Sequence, residues 1–146
     1  MRKYNFLNEN KVWETGYHYS DFDLIVKNAG YFIEKNGFLH LFFDWSFLDH
    51  WSFNYELYSE NQLKALFRKS QPYESNVKFL VRLSQGENLV EISSQNLAEM
   101  VDDLIHETGM GWEAISEDGN YIMEFTDDYQ HKAISNFEIL PNSKVK

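Results

Sequence analysis

Apolar residues recur every three or four positions in SDFDLIVKNAGYFIEKNG, residues 20–37, where Phe22, Ile25, Val26, Ala29, Phe32 and Ile33 fall on one side of a helix. Ser20 is placed to cap its start, Asp21 and Asp23 suit the positive end of its dipole, and Gly37 is the expected stop, with Gly30 tolerated inside. The rhythm then changes. GFLHLFFDW and HWSFNYELY, joined by SFLD, predict an antiparallel hairpin, because Trp51, Phe53, Tyr55 and Leu57 alternate with Ser52, Asn54, Glu56 and Tyr58.

Ser59 and Gln62 have the spacing of a capping box that opens a short helix, ENQLKALFRK, which must end before Pro72. In NVKFLVRL the residues Val77, Phe79, Val81 and Leu83 alternate with Lys78 and Arg82, and the turn SQGEN leads to LVEI, a second hairpin. A third helix, QNLAEMVDDLIHE, follows a Ser94 cap and closes at Gly109, with Leu97, Val101, Leu104 and Ile105 on one face. WEAIS, YIMEF and HKAISNFEIL read as a three-stranded meander. Strands that arrive in hairpins predict an α+β fold, a largely antiparallel sheet with about three helices in one domain over residues 1–146. Pro141 and the lysines after it predict a flexible tail over residues 141–146.

Composition narrows the chemistry. Aromatics are 17% of the chain and apolar residues 43%, too many for a disordered segment. With no cysteine, disulfides, thiolate nucleophiles and thiolate metal sites are excluded. No apolar run resembles a signal peptide or a membrane span, so a cytoplasmic location is expected. The net charge of −10 opposes contact with phosphate backbones and anionic lipid, so neither nucleic acid nor membrane is an expected partner.

That charge is unevenly distributed. Residues 36–63 hold four acids and no base, and residues 84–131 hold twelve acids and no base, whereas residues 64–83 carry five bases against Glu74. Within residues 99–128, Glu99, Asp102, Asp103 and Glu107 lie three and four apart on the polar side of the third helix, followed by Glu117, Asp118, Asp127 and Asp128. Like charges at that spacing weaken a helix, so local stability does not explain them. Solubility is one explanation. A surface for a basic partner is the other, and Asp44, Trp45, Asp49 and Tyr58 add aromatic anchors beside acids, with Trp45 and Tyr58 the expected surface rings.

Recognisable catalytic motifs are missing. Gly109, Gly111 and Ala114 match G-x-G-x-x-A, but a helix precedes them and a strand follows, the reverse of the dinucleotide arrangement. The five histidines are scattered singly; His106 with Asp102 and Asp103 comes nearest to a metal cluster and is read as a solvated helix face. No cofactor is expected, and no pair of carboxylates stands out as an acid and base.

In size, acidity, lack of cysteine, α+β patterning and the acidic stretches quoted above, the whole chain resembles the small immunity proteins of bacterial contact-dependent growth inhibition and related polymorphic toxin systems. The resemblance implies a non-enzymatic inhibitor that occludes the active site of a cognate basic toxin, commonly a nuclease. Two alternatives stay open on the same residues: an α+β domain whose aromatic-rich sheet lines a ligand pocket around Trp45, Trp51 and Tyr55, with or without turnover, and an acidic mimic of nucleic acid.

Overall fold

The computed structural model describes residues 12–34, 41–83, 88–108, 111–126, 131–139 and 143–145. Its centre is one eight-stranded sheet in which every neighbouring pair is antiparallel: β1 (Val12–His18), β2 (His50–Asn54), β3 (Lys78–Arg82), β4 (Asn88–Ser93), β5 (Gly111–Ser116), β6 (Ile122–Thr126), β7 (Lys132–Ser135) and β8 (Ser143–Val145). The order across the sheet is β1-β4-β3-β5-β6-β7-β2-β8. Among the described residues four helices complete the α+β fold: α1 (Asp21–Asn28), α2 (Glu60–Arg68), α3 (Gln71–Ser75) and α4 (Ser94–Thr108).

Period-2 alternation supplies the sheet with two apolar faces rather than one. Phe79, Val81, Val90, Ile92, Trp112, Ala114, Met123, Phe125 and Ala133 point into a large core beneath α2 and α4, which contribute Leu63, Leu66, Phe67, Leu97, Val101 and Leu104. The intervening residues Leu80, Leu89, Ile115, Ile122 and Ile134 enter a second core, closed by Phe22 and Val26 of α1 and by Phe43 and Trp45. Each large side chain so buried contributes about 1.5–3 kcal/mol. At the middle of the first core Trp112 stacks on Phe125 with centroids 4.6 Å apart, and Phe67 and Tyr55 pack on the same Phe125 ring.

The hairpin β3–β4, the meander β5–β6–β7, the capping box of Ser59 and Gln62 and the apolar face of α4 match the expectations from sequence. Other expectations are corrected. The first helix stops at Asn28, because Gly30 adopts φ +96° and turns the chain well before Gly37, which lies outside the described residues. Ser20 makes no side-chain cap; its hydroxyl meets His18 Nδ1, while the Asp21 carboxylate accepts from the His18 N–H at 2.7 Å. At the start of α4 the side-chain cap comes from Ser93, whose hydroxyl accepts from the Asn96 N–H, and Ser94 instead donates to the Pro72 carbonyl.

The hairpin expected across 37–58 does not form. Residues 37–40 lie outside the described residues, 41–44 are extended with a single bridge from Phe43 to Ile33, and Trp45–Phe47 is a 3-10 turn. β2 pairs instead with β7 and β8, and the alternation breaks where the chain enters a second 3-10 turn at Tyr55–Leu57, leaving Leu57 77% exposed. The segment expected as a flexible tail holds β8, paired with β2 from Ser52↔Ser143 to His50↔Val145. β1 and α3 went unforeseen; α3 starts with Pro72 in its first turn, where a missing N–H costs nothing.

Gly111, part of the glycine motif, has a packing role. Its φ is +93°, and a Cβ there would lie 2.1 Å from the Phe125 carbonyl oxygen, backbone that cannot step aside. Gly111→Ala is therefore expected to destabilise the fold by more than about 2 kcal/mol; urea denaturation checks this, and an unchanged midpoint would contradict the close approach.

Candidate functional site

Face by face, the polar residues inside the second core come from one row of the sheet. Arg82 on β3 is paired with Glu113 on β5, and Glu113 with Glu124 on β6, so the three side chains stand side by side beneath α1 and residues 42–45. Glu124 is 2% exposed. Its carboxylate accepts from the Phe42 N–H (2.9 Å), the Phe43 N–H (3.0 Å) and the Trp45 indole N–H (2.7 Å), which fastens the segment to the sheet. Burial and the charge of Glu113 push its pKa up to about 7, against the three donors, which favour the ionised form.

Arg82 is 8% exposed and its guanidinium donates to Glu113 and, at 3.2 Å, to Asp23 of α1. Rings surround it, with Phe42, Tyr19 and Phe22 centroids 4.2, 4.8 and 4.9 Å away. Its Nε has no hydrogen-bond partner among the described residues. Burial raises the pKa of Glu113 while the Arg82 charge pulls it down. The arrangement binds α1 and the 42–45 segment to the sheet; it presents no nucleophile with a base.

The sequence-predicted contact residues scatter. Trp45 is corrected from surface anchor to core: it is 5% exposed because its indole N–H is held by Glu124 and its ring packs edge-on against Phe43. Tyr58 is half-buried, edge-on to Phe53 at 5.4 Å, so it is packing rather than a free anchor. Asp44 caps the Trp45–Phe47 turn through the Ser46 N–H and hydroxyl. Asp118 accepts from the Ser116 hydroxyl at 2.6 Å and the Asn120 N–H at 3.0 Å, which closes the β5–β6 turn and holds its pKa down. Glu117 is exposed and has its pKa raised by its contact with Glu91. Asp49 and Asp103 are exposed and Asp102 is half-buried; the Glu107 side chain and Asp127 and Asp128 lie outside the described residues.

Sequence reading left the acids of 84–131 without cations, and the fold supplies several from residues 64–83. Arg68 on α2 bonds Glu99 on α4, Lys78 lies 3.7 Å from Glu91, and Arg82 holds Glu113. Lys64, paired with Glu60 at 3.0 Å, also feels Glu99 and Asp103. Among the described residues no group of three His, Asp or Glu is placed to hold a metal, and no helix is long and apolar enough to cross a membrane.

An unforeseen feature lies beyond the C-terminus of α1. Phe32 and Phe47 are 58% and 63% exposed and pack against each other, tilted by 43° with ring centroids 4.6 Å apart. Beside them a pocket of about 460 Å³ is lined by Asp23, Lys27, Gly30, Tyr31, Phe32 and Ile33. Tyr31 anchors this loop by donating to the Gly119 carbonyl at 2.5 Å. The early helix stop at Gly30 was the sequence signal that could have freed Phe32 from the presumed helix core. Comparison with models of protein families, with characterised proteins and with solved structures found no match.

Two stability predictions follow from the buried row. Glu124 titrates near 7 when folded and near 4.5 when unfolded, so the folded chain holds the extra proton between those values. Its contribution is complete below about 4.5 and falls by about 3 kcal/mol as pH rises through 7. Glu124→Gln removes that loss, so urea midpoints of wild type and variant should diverge between pH 5 and 8; parallel profiles would refute it. Arg82→Met leaves Glu113 buried without its cation and should cost about 3–5 kcal/mol, most of it recovered by adding Glu113→Leu. A double-mutant cycle measures the recovery, and strict additivity would show that the pair is not coupled.

Proposed function

We propose that this protein is a binding protein that neutralises a basic protein partner inside the cell that makes it, as the immunity proteins it resembles do. The observation that carries this reading is the surplus of acid. Internal ion pairs relocate charge but leave the net at −10, and the pairing bases Arg68, Lys78 and Arg82 already face acids of this chain. With 13 bases against 23 acids, cations for the surplus have to come from another molecule or from solvent.

A nuclease fits as partner because its cleft must concentrate Lys and Arg to hold phosphate, and an acidic surface both steers towards such a cleft and fills it. Inhibition needs occlusion alone. The pocket alternative built on Trp45, Trp51 and Tyr55 loses support, since Trp45 and Tyr55 pack into two different cores on opposite faces of the sheet. The mimic of nucleic acid is also weakened, because Lys64 and Arg68 sit among the acids of the helical face and interrupt a phosphate-like row.

Passing extract of the producing cells over the immobilised protein at low and at high salt should retain one basic protein in stoichiometric amount. Asp102→Lys with Asp103→Lys should slow its association about tenfold and flatten the salt dependence. Retention of nothing under either condition would remove the reading.

A further inference from the structure

We propose that Glu124 is a proton-operated clamp on residues 41–48: while its carboxyl carries a proton the segment lies closed over the second core, and loss of that proton frees the segment to open locally while α2, α4 and the sheet stay folded. Acid shuts this lid and neutrality loosens it.

The buried row is short of cations. Arg82 donates to Glu113 and to Asp23 of α1, so its guanidinium is already shared between two carboxylates. Glu124 stands directly opposite Glu113 on the neighbouring strand, and what reaches its oxygens is three neutral N–H groups, from Phe42, Phe43 and the Trp45 indole. Neutral donors offset only part of the cost of burying a charge, and a second carboxylate across the strand adds to it. Glu113 has the guanidinium and Glu124 does not, so the proton belongs on Glu124. Burial and then the charge of Glu113 accordingly push its pKa up to about 7 from an ordinary 4.5. The other neighbours bring no compensating charge: β7 sets Ile134 opposite Glu124, Asp44 is turned to Ser46, and the His50 ring of β2 meets the Trp45 ring, 5.6 Å away, rather than the carboxylate.

Placement makes the proton act on the lid before it acts on the whole fold. Among the described residues, the hydrogen bonds that tie 42–45 to the sheet all end on Glu124. The Asp44 N–H donates to the Phe32 carbonyl and the Glu34 N–H to the Phe42 carbonyl, both at 2.8 Å, but residues 32–34 belong to none of the eight strands and can move with the lid. Burial of Phe43 and Trp45 is what then holds the segment down. The helices α2 and α4 pack on the opposite face of the sheet, away from the row. A segment so short of regular hydrogen bonding opens at lower free energy than the core beneath it. Opening hydrates Glu124 and returns it towards 4.5, so between that value and about 7 the closed lid holds a proton that the open lid releases. Each pH unit in that window favours opening by up to about tenfold, and above it both forms are ionised and the effect levels off.

Amide hydrogen exchange of the full chain, read by mass spectrometry between about pH 5 and 8 and corrected for the intrinsic rate, tests the clamp. Protection of residues 41–48 should fall about fiftyfold over that range, most of it below about pH 7. It should stay insensitive to about 1 M urea, because local opening exposes little surface, and residues 97–105 of α4 should remain at least about tenfold better protected throughout. Glu124→Gln should make the profile of 41–48 flat. Trp45→Phe removes one donor and keeps the carboxyl, so it should move the levelling point up by about half a unit, and it carries the test should the Gln variant fail to fold. A flat wild-type profile, an unchanged profile in Glu124→Gln, or an unshifted one in Trp45→Phe would overturn the proposal. Equal rates and equal urea sensitivity for 41–48 and 97–105 would overturn it too, since the opening would then be global unfolding. A histidine also changes charge in this range, so His50→Gln should preserve the dependence; its loss there would assign the switch to His50 instead.

Discussion

A buried carboxylate with three N–H donors around it is the constraint on which the second face of the molecule depends. Without Glu124, nothing polar on the sheet would meet the N–H groups of Phe42, Phe43 and the Trp45 indole, and the irregular segment that carries them would have to stay hydrated. With it, a stretch lacking regular secondary structure becomes a lid over Ile115, Ile122 and Ile134. Arg82 acts in parallel for α1 through Asp23 and three surrounding rings. The polar row and the apolar layer are therefore one device: the ions position what the hydrophobic effect then holds.

Charge segregated along the chain is brought back together in space. The basic run at 64–83 and the acidic run after it become neighbours because α2 lies on α4 and β3 lies between β4 and β5. Linear charge blocks thus overstate the asymmetry of the folded surface near α4. What survives folding is the total of −10; even the acids of residues 44–49 gain a basic neighbour in sequence register, because β8 sets Lys144 opposite Trp51 on β2.

Legibility followed the range of the interactions. β3–β4, β5–β6–β7 and α4 could be read because each is set by local alternation, a turn or a cap close by in the chain. The 37–58 hairpin was misread because its apolar pattern is satisfied by partners far away, Glu124 for one half and β7 for the other. Trp45 looked like an anchor since an acid stands on its N-terminal side; the acid that decides its place is 79 positions on. Glu124 itself was visible as a charge in an apolar strand, on the same alternating face as Ile122, and that mismatch was the available signal for a buried polar contact. Phe32 and Phe47 were hidden by a helix drawn through Gly30 and by a turn treated as mere connection.

The sheet order also sets a timetable. β2 lies between β7 and β8, so Phe53 finds Ala133, and Ser52 finds Ser143, only when nearly the whole described chain has left the ribosome. Until then the apolar residues of β2 are an unpaired strand, the kind of element that collects wrong partners during synthesis. Pairings of such long sequence separation also close slowly. The three residues of β8 then cover the last open edge of β2, which makes this short strand the final latch in assembly rather than a trailing end.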